Sequence, residues 1–340
     1  MEFLPTLWFV IIAVFWSGYL FLEGFDLGVG MLMKLLARNE RQRRVLLNTI
    51  GPVWDGNEVW LITAGAATFA AFPMWYASLF SALYVPLVLV LVALIFRAVA
   101  FEYRGKAHRQ SSRNAWDWAI SLGSFTAAFG VGAMLALTTT GLPLDANGDR
   151  VGGAFAWLNG YAVLGGLAVV AFALVHALAF VGLKTDGELR QRARHLIGRW
   201  LPAALLPMAA WAVLVVVPTG KPAALTLLGI AVIGGVAGWL ANRSGAEGWS
   251  FAWSGIFLLG GVSSIFVAVF PVVLPSTLDA AFDLTVANAS SSPYTLGLMS
   301  IIAAFGIPLV LLYQGWTYWV FRRRVSEHHI PASHHVTPVV

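Results

Sequence analysis

Apolar runs long enough to cross a hydrocarbon core, about 20 residues each, recur almost end to end in this 340-residue chain. No other feature constrains its fold as strongly, because backbone inside lipid must satisfy its own polar groups and a run of this kind has to be helical. The fold class is all-α, a polytopic membrane protein. Nine transmembrane helices are expected at about 5–35, 46–72, 76–101, 115–140, 155–183, 200–217, 222–241, 251–271 and 294–321. The chain is 59% hydrophobic and 11% charged, with mean hydropathy +0.78, which leaves no stretch for a separate soluble domain. Residues 1–325 are therefore expected to form one membrane domain and 326–340 a cytoplasmic tail. The first run carries Glu2 where a signal peptide wants Lys or Arg and lacks a small-residue cleavage pattern, so it is expected to be a retained helix.

The net charge of +5 would suit nucleic acid, but its placement argues for topology instead. Of the 21 Lys and Arg, 18 fall in 34–44, 104–113, 184–199, at Arg243 and at Arg322 to Arg324, all on one side if nine helices alternate. The other side has only Arg150 and Lys221, among Glu2, Asp145, Asp149, Asp279 and Asp283. By the positive-inside rule the basic side is cytoplasmic, with the N-terminus outside and the C-terminus inside. The loop pattern also repeats, once over helices 1–4 and again over helices 5–8. This suggests two four-helix bundles plus an extra ninth helix. Gly24/Gly28 and Gly234/Gly238 have the spacing of close helix contacts.

Absence of cysteine removes disulfides, thiolate metal sites, iron–sulfur clusters and covalent haem attachment. Of seven histidines only His176 lies well inside a helix, where a hydrogen bond to a neighbouring helix competes with haem ligation; this chain alone is expected to bind no cofactor and no metal. Two His pairs occupy the tail "VSEHHIPASHHVTPVV", which is expected to be solvated.

The chemistry lies in the buried charges, each expensive in lipid and so a functional candidate. They are Glu23 and Asp26 on helix 1, Asp55 and Glu58 on helix 2, and Arg97 on helix 3. Counting back to the nearest cytoplasmic base puts Glu23 and Asp55 at ~17 Å, Asp26 at ~12 Å, Arg97 at ~10 Å and Glu58 at ~21 Å. Asp26 and Arg97 are thus expected to form an ion pair near the cytoplasmic mouth, with Glu23, Asp55 and Glu58 above it as a proton path. Carboxylates crowded in low dielectric cannot all stay ionised, so at least one is expected to hold a proton. A lock between helices 1 to 3 explains Asp26 with Arg97 equally well. Asp117, four residues from Arg113, is expected at the interface. Gly51 and Pro52 are expected to kink helix 2.

Four stretches carry a family resemblance: "EGFDLGVGML" at 23–32, "GPVWDGNEVWLITAG" at 51–65, "FRAVAFEYRGK" at 96–106 and "LKTDGELRQRAR" at 183–194. The chain resembles subunit II of the cytochrome bd quinol oxidases to about residue 325. The resemblance implies a heterodimer, in a bacterial cell membrane, with a structurally related subunit I. That partner would carry the quinol site, haem d and two haems b, one low-spin and one high-spin. It also implies reduction of oxygen to water by quinol with protons drawn from the cytoplasm, electrogenic without pumping, and a possible small accessory subunit. Lipid and quinone would be neighbours, and nucleic acid would not. Asp55 matches the family's proton-path position, and Asp26 and Arg97 match characteristic positions. Glu23 stands where some members have Asp and Glu58 where some have Gln, and the outer turn "PTGKP" at 218–222 is shorter than in some members.

Two other functions remain open on the residues alone. A proton-coupled secondary transporter would also have repeated bundles and buried carboxylates, although no matched pair of interrupted helices marks a substrate site. A purely structural subunit would need the same ion pairs without moving protons. The charge asymmetry makes a direct prediction. Cysteines introduced at 36–45 and 184–199 should label from the cytoplasmic face and those at 143–153 and 275–293 from the opposite face, and one basic loop labelling from outside would refute the arrangement.

Overall fold

The computed structural model describes residues 3–330. Its helices are α1 (Phe3–Leu36), α2 (Glu40–Ile50), α3 (Trp54–Ala71), α4 (Pro73–Ala82), α5 (Tyr84–Tyr103), α6 (Gln110–Thr140), α7 (Gly160–Lys184), α8 (Gly187–Ala204), α9 (Leu206–Val216), α10 (Pro222–Arg243), α11 (Glu247–Val269) and α12 (Pro293–Val320). Among the described residues eight helical stretches are long and apolar enough to span a membrane. They account for eight of the nine expected helices. The remaining place is taken by α3, whose Asp55, Asn57 and Glu58 lower its hydropathy.

The second expected helix is broken rather than kinked. Pro52 has no N–H to donate, and at Gly51 to Val53 the chain turns before α3 begins. The basic-side piece, α2, becomes a separate amphipathic helix capped by Asn39, whose side chain accepts from Gln42 N at 2.8 Å. Val45, Leu46 and Ile50 face the core and Arg41 faces out. A milder interruption separates α4 from α5 at Leu83, where Pro86 cannot reach back to the Ala82 carbonyl. Arg150 fills the gap, donating from Nη1 to Ala82 O at 2.9 Å, so one of the two bases on the sparse side works as a cap. The fifth helix starts at Gly160, not 155, because Asn159 caps it by accepting from Ala162 N. The sixth begins at Gly187 and bends at Pro202 and Pro207.

Packing repeats between the halves. In the first, α1 touches α3 and α6, and α5 touches α6; in the second, α7 touches α9 and α11, and α10 touches α11. The halves meet through α1, α6, α7 and α11, while α12 lies outside against α1 and α3. Small residues permit the central crossing. A Cβ built at Gly28 would lie 2.0 Å from the Ala173 carbonyl oxygen, and one at Gly132 would lie 2.3 Å from that of Gly165. Gly234 is also tight against α11, at 2.7 Å from Phe257 N, whereas Gly24 and Gly238 have ordinary clearance.

Both ends of the bundle are tied by polar contacts. On the sparse side the loops after α6 and α11 join: Leu142 N donates to Pro275 O, Thr277 N to Leu142 O and Ser276 Oγ to Leu144 O. There β1 (Val272–Leu274) pairs antiparallel with β2 (Leu284–Thr285). On the basic side Asp117 is buried among the residues of that end, 2.5 Å from Arg104 Nε and 3.5 Å from Arg43 Nη1. Arg104 also holds Glu40 through two hydrogen bonds of 2.8 and 2.9 Å. Partial burial opposes ionisation of Glu40, but these bonds and the nearby guanidinium charges hold its carboxyl below the usual carboxylate range. The expected solvated tail is in part a strap. Val325 N donates to Lys184 O, Gln42 Nε2 donates to Glu327 Oε1 at 2.9 Å, and Ile330 is buried. His334 and His335 lie outside the described residues.

The Gly28 crossing gives a prediction with its own control. Gly28→Leu should push α1 from α7 and destabilise by roughly 1–3 kcal/mol or more, as overpacking does, whereas Gly24→Ala, 3.4 Å from a Phe172 ring carbon, should be tolerated. Thermal aggregation of the detergent-solubilised protein reads both; equal behaviour of the two variants would contradict the close approach.

Candidate functional site

The buried charges converge where α1, α3, α5 and α6 meet. Arg97 on α5 is fully buried, with Nη1 2.9 Å from Glu23 Oε1 and 3.4 Å from Glu58 Oε2. Its Nε donates to Ser124 Oγ at 3.2 Å, and its guanidinium lies over the Phe101 ring at 5.0 Å. The Glu23 contact is off the N–H direction, so it is ionic rather than a hydrogen bond. Among the described residues, Arg97 Nη2 and both Glu23 oxygens have no hydrogen-bond partner.

Asp26 is not bridged to Arg97, contrary to the depth count. Its Oδ2 accepts from Asn57 Nδ2 at 2.6 Å, and Oδ1 accepts nothing among the described residues. The reason is side-chain direction: helical side chains lean toward the N-terminus of their own helix. On α5, which enters from the sparse side, Arg97 therefore leans deeper into the membrane; on α3, which runs the other way, Glu58 leans toward the basic side. The two meet at the level of Glu23 and pass over Asp26. Glu23 and Asp26, one turn apart, are close enough to share a hydrogen bond once one of them is protonated.

Asn57 completes the cluster and was not among the site residues expected from sequence. Besides Asp26, its Nδ2 reaches Leu22 O at 3.2 Å, and its Oδ1 accepts from Gln314 Nε2 at 2.9 Å and Tyr318 Oη at 2.8 Å. Gln314 Oε1 in turn accepts from Trp60 Nε1 at 2.7 Å. One buried amide thus joins α1, α3 and α12. Gln314 had a visible signal, as the lone amide in the apolar α12 run. Tyr318 had none. A narrow cleft lined by Pro52, Gly56, Asn57, Gln314, Thr317 and Tyr318 leads from the α2–α3 break toward this amide.

The remaining acids differ in burial. The Glu58 side chain is 18% exposed and links the buried pair to the surface. Asp55 is exposed, one turn from Glu58, and makes no hydrogen bond or ion pair among the described residues. It shares an outward stripe of α3 with Val59, Ile62 and Phe69.

His176 is placed elsewhere, beneath α11, with Nδ1 2.8 Å from Ser254 Oγ and Nε2 3.0 Å from Phe21 O. Phe172 and Phe251 stack on it at 5.0 and 4.5 Å. With both nitrogens engaged and both ring faces covered, it does not fit a haem ligand.

The pairing makes a prediction. Removing one partner of a buried ion pair leaves an uncompensated charge, costing about 3–5 kcal/mol. Arg97→Leu should therefore lower the amount of protein assembled in membranes. Adding Glu23→Gln should recover part of the loss and adding Asp26→Leu should not, because Asp26 depends on Asn57; quantitative immunoblots of membranes that show the reverse order would restore the Asp26–Arg97 pairing.

Comparisons with known proteins agree in direction. The family model for cytochrome bd terminal oxidase subunit II matches residues 4–321. A Bacillus subtilis (strain 168) protein described as cytochrome bd ubiquinol oxidase subunit 2 is 42% identical over 332 residues, covering 96% of this chain and 98% of the relative. The cytochrome bd-I ubiquinol oxidase subunit 2 of Escherichia coli (strain K12) is 32% identical over 375 residues, covering 98% of each chain. A chain in the solved structure of bd oxidase from Geobacillus thermodenitrificans superposes with a TM-score of 0.76 at 20% identity, covering 94% of this chain and 98% of that one; at that identity it speaks for the fold.

Proposed function

The chain belongs to the cytochrome bd terminal oxidase subunit II family, and we propose that within this respiratory quinol:oxygen oxidoreductase it carries protons inward from its basic, cytoplasmic side. A transporter has no support from these relatives. The partner is a subunit I of the same complex, where haems b and haem d supply electron transfer and oxygen reduction. The residues of this chain move or hold protons for that chemistry.

The observation that carries this function is the charge balance of the cluster. Glu23 and Glu58 contact one guanidinium and Asp26 lies one turn from Glu23, so full ionisation of the three would leave two uncompensated negative charges in a membrane interior. The cluster reaches neutrality by holding protons, and its unpartnered oxygens on Glu23 and Asp26 are free to take them. Asp55 is the entry group. An exposed carboxylate on an apolar stripe is unfavourable against lipid, so water or the partner subunit covers it. Glu58, one turn further along α3, receives the proton and stands against Arg97. Exchange then runs to Glu23 and Asp26, whose anionic forms Arg97 and Asn57 stabilise.

A structural role also has an observation in its favour, since Asn57 ties three helices whether or not protons move. Asp55 separates the two, because it ties nothing. Asp55→Asn keeps shape and polarity but cannot carry a proton. In the purified complex, with haem content verified by spectra, quinol-dependent oxygen consumption per haem d should fall at least about tenfold, which corresponds to about 1.4 kcal/mol of added barrier, and its pH dependence should change. Asp55→Glu should retain more activity and Glu58→Gln should be milder than Asp55→Asn. Near-normal turnover in Asp55→Asn would leave the subunit a structural one.

A further inference from the structure

Far from the acid cluster, the second half of the chain has a cleft of about 400 Å³ at the basic end of α8 and α10. It is lined by Gln191, Arg194, His195, Arg199, Asn242 and Arg243, with no acidic side chain among its walls. Arg194 is already engaged, 3.5 Å from Glu247 on α11. Arg199 and His195 make no hydrogen bond or ion pair among the described residues, and Arg243 only lies over the Trp239 ring at 4.7 Å. At its floor Asn242 is 4% exposed; its Nδ2 donates to Arg194 O at 3.0 Å, and its Oδ1 is a buried acceptor with no donor. A cationic rim over an unsatisfied carbonyl is a recognition pattern for an anion that also brings a hydroxyl.

The surroundings say where that anion comes from. Trp200 and Trp239 stand beside the cleft, Trp239 donating from Nε1 to Gly198 O at 3.1 Å, as aromatic residues do at the membrane–water boundary. From the same level the outward faces of α9 and α10 run into the bilayer as Leu206, Val213 and Leu214 on one helix and Ile233, Val236 and Leu240 on the other, all exposed. The cleft therefore lies at headgroup depth above exposed apolar helix faces. Basic pockets between helices on the cytoplasmic side are suited to anionic lipid headgroups.

We propose that this cleft binds an anionic phospholipid, its phosphodiester held by Arg199 and Arg243 with His195 beside them. A glycerol hydroxyl of the headgroup supplies the donor that Asn242 lacks, and the acyl chains lie along α9 and α10. The site is independent of the proton path, because none of its residues touches the acid cluster.

Native mass spectrometry of the purified complex tests this, with palmitoyl-oleoyl phosphatidylglycerol, the matching phosphatidylcholine and inorganic phosphate as probes. Retention of phosphatidylglycerol should fall about fivefold for each Arg removed in R199Q, R243Q and the double variant. Phosphatidylcholine, which shares the phosphodiester but has no net charge, should be retained less by the unaltered complex and lose less in these variants, and millimolar phosphate should not displace the lipid. Unchanged phosphatidylglycerol retention in the double variant, with normal haem spectra confirming assembly, would overturn the site. Displacement by phosphate would overturn the lipid assignment in favour of a soluble anion, and an equal loss of phosphatidylcholine would overturn headgroup selectivity.

Discussion

A guanidinium in a membrane interior cannot stand alone, and the first half of this protein is organised around that fact. Arg97 brings Glu23 from α1 and Glu58 from α3 to one point, with Ser124 of α6 behind it. Four helices are thereby fixed in mutual register by charge as well as by packing. Desolvation of such a group costs several kcal/mol, so a shift of one turn in any of these helices would strand a charge. Such specificity is hard to obtain from apolar contacts alone, since lipid tails solvate leucine as well as another helix does.

The cluster also explains why α2 and α3 are separate. Asn57 must face α1 and α12 while Glu58 faces Arg97 and Asp55 faces outward, and a helix entering directly from the basic α2 segment would carry that segment's direction with it. The break at Gly51 to Val53 frees α3 to take its own orientation. Its polar backbone lies at the basic end beside the narrow cleft, where water can reach it. Fold and buried cluster therefore share one device: the interruption that orients the acids also lies beside the cleft that leads toward Asn57.

The second half repeats the helix packing without a buried acid cluster among its described residues. At the heart of its contact with α1, His176 is wrapped by Phe21, Phe25, Phe172 and Phe251 and holds helices together through Ser254 and the Phe21 carbonyl. Charge in this half is pushed to the basic surface, where Glu247 collects Arg190, Arg194 and Arg324. One unit carries the buried acid cluster and the other keeps its charges at the surface, with the polar loops of the sparse side and the C-terminal strap joining them at both ends.

Hydropathy and charge by themselves determined the membrane class, the places of the long helices and the asymmetry of the two faces, because those depend on transfer free energies summed over many residues. The motif-bearing acids and Arg97 were visible for the same reason, since each is costly in lipid. Which acid meets which base was not visible. Counting residues gives the height of each Cα, but contact depends on side-chain lean, reversed between α3 and α5, and on helix rotation set by packing at Gly28, Gly132 and Gly165. The Asp26–Arg97 pairing failed on that point, and Asn57 acquired its central place only because Gln314 and Tyr318 arrive from 257 and 261 residues away. Only tertiary structure decides such partnerships, because they join distant segments whose meeting no local energy specifies.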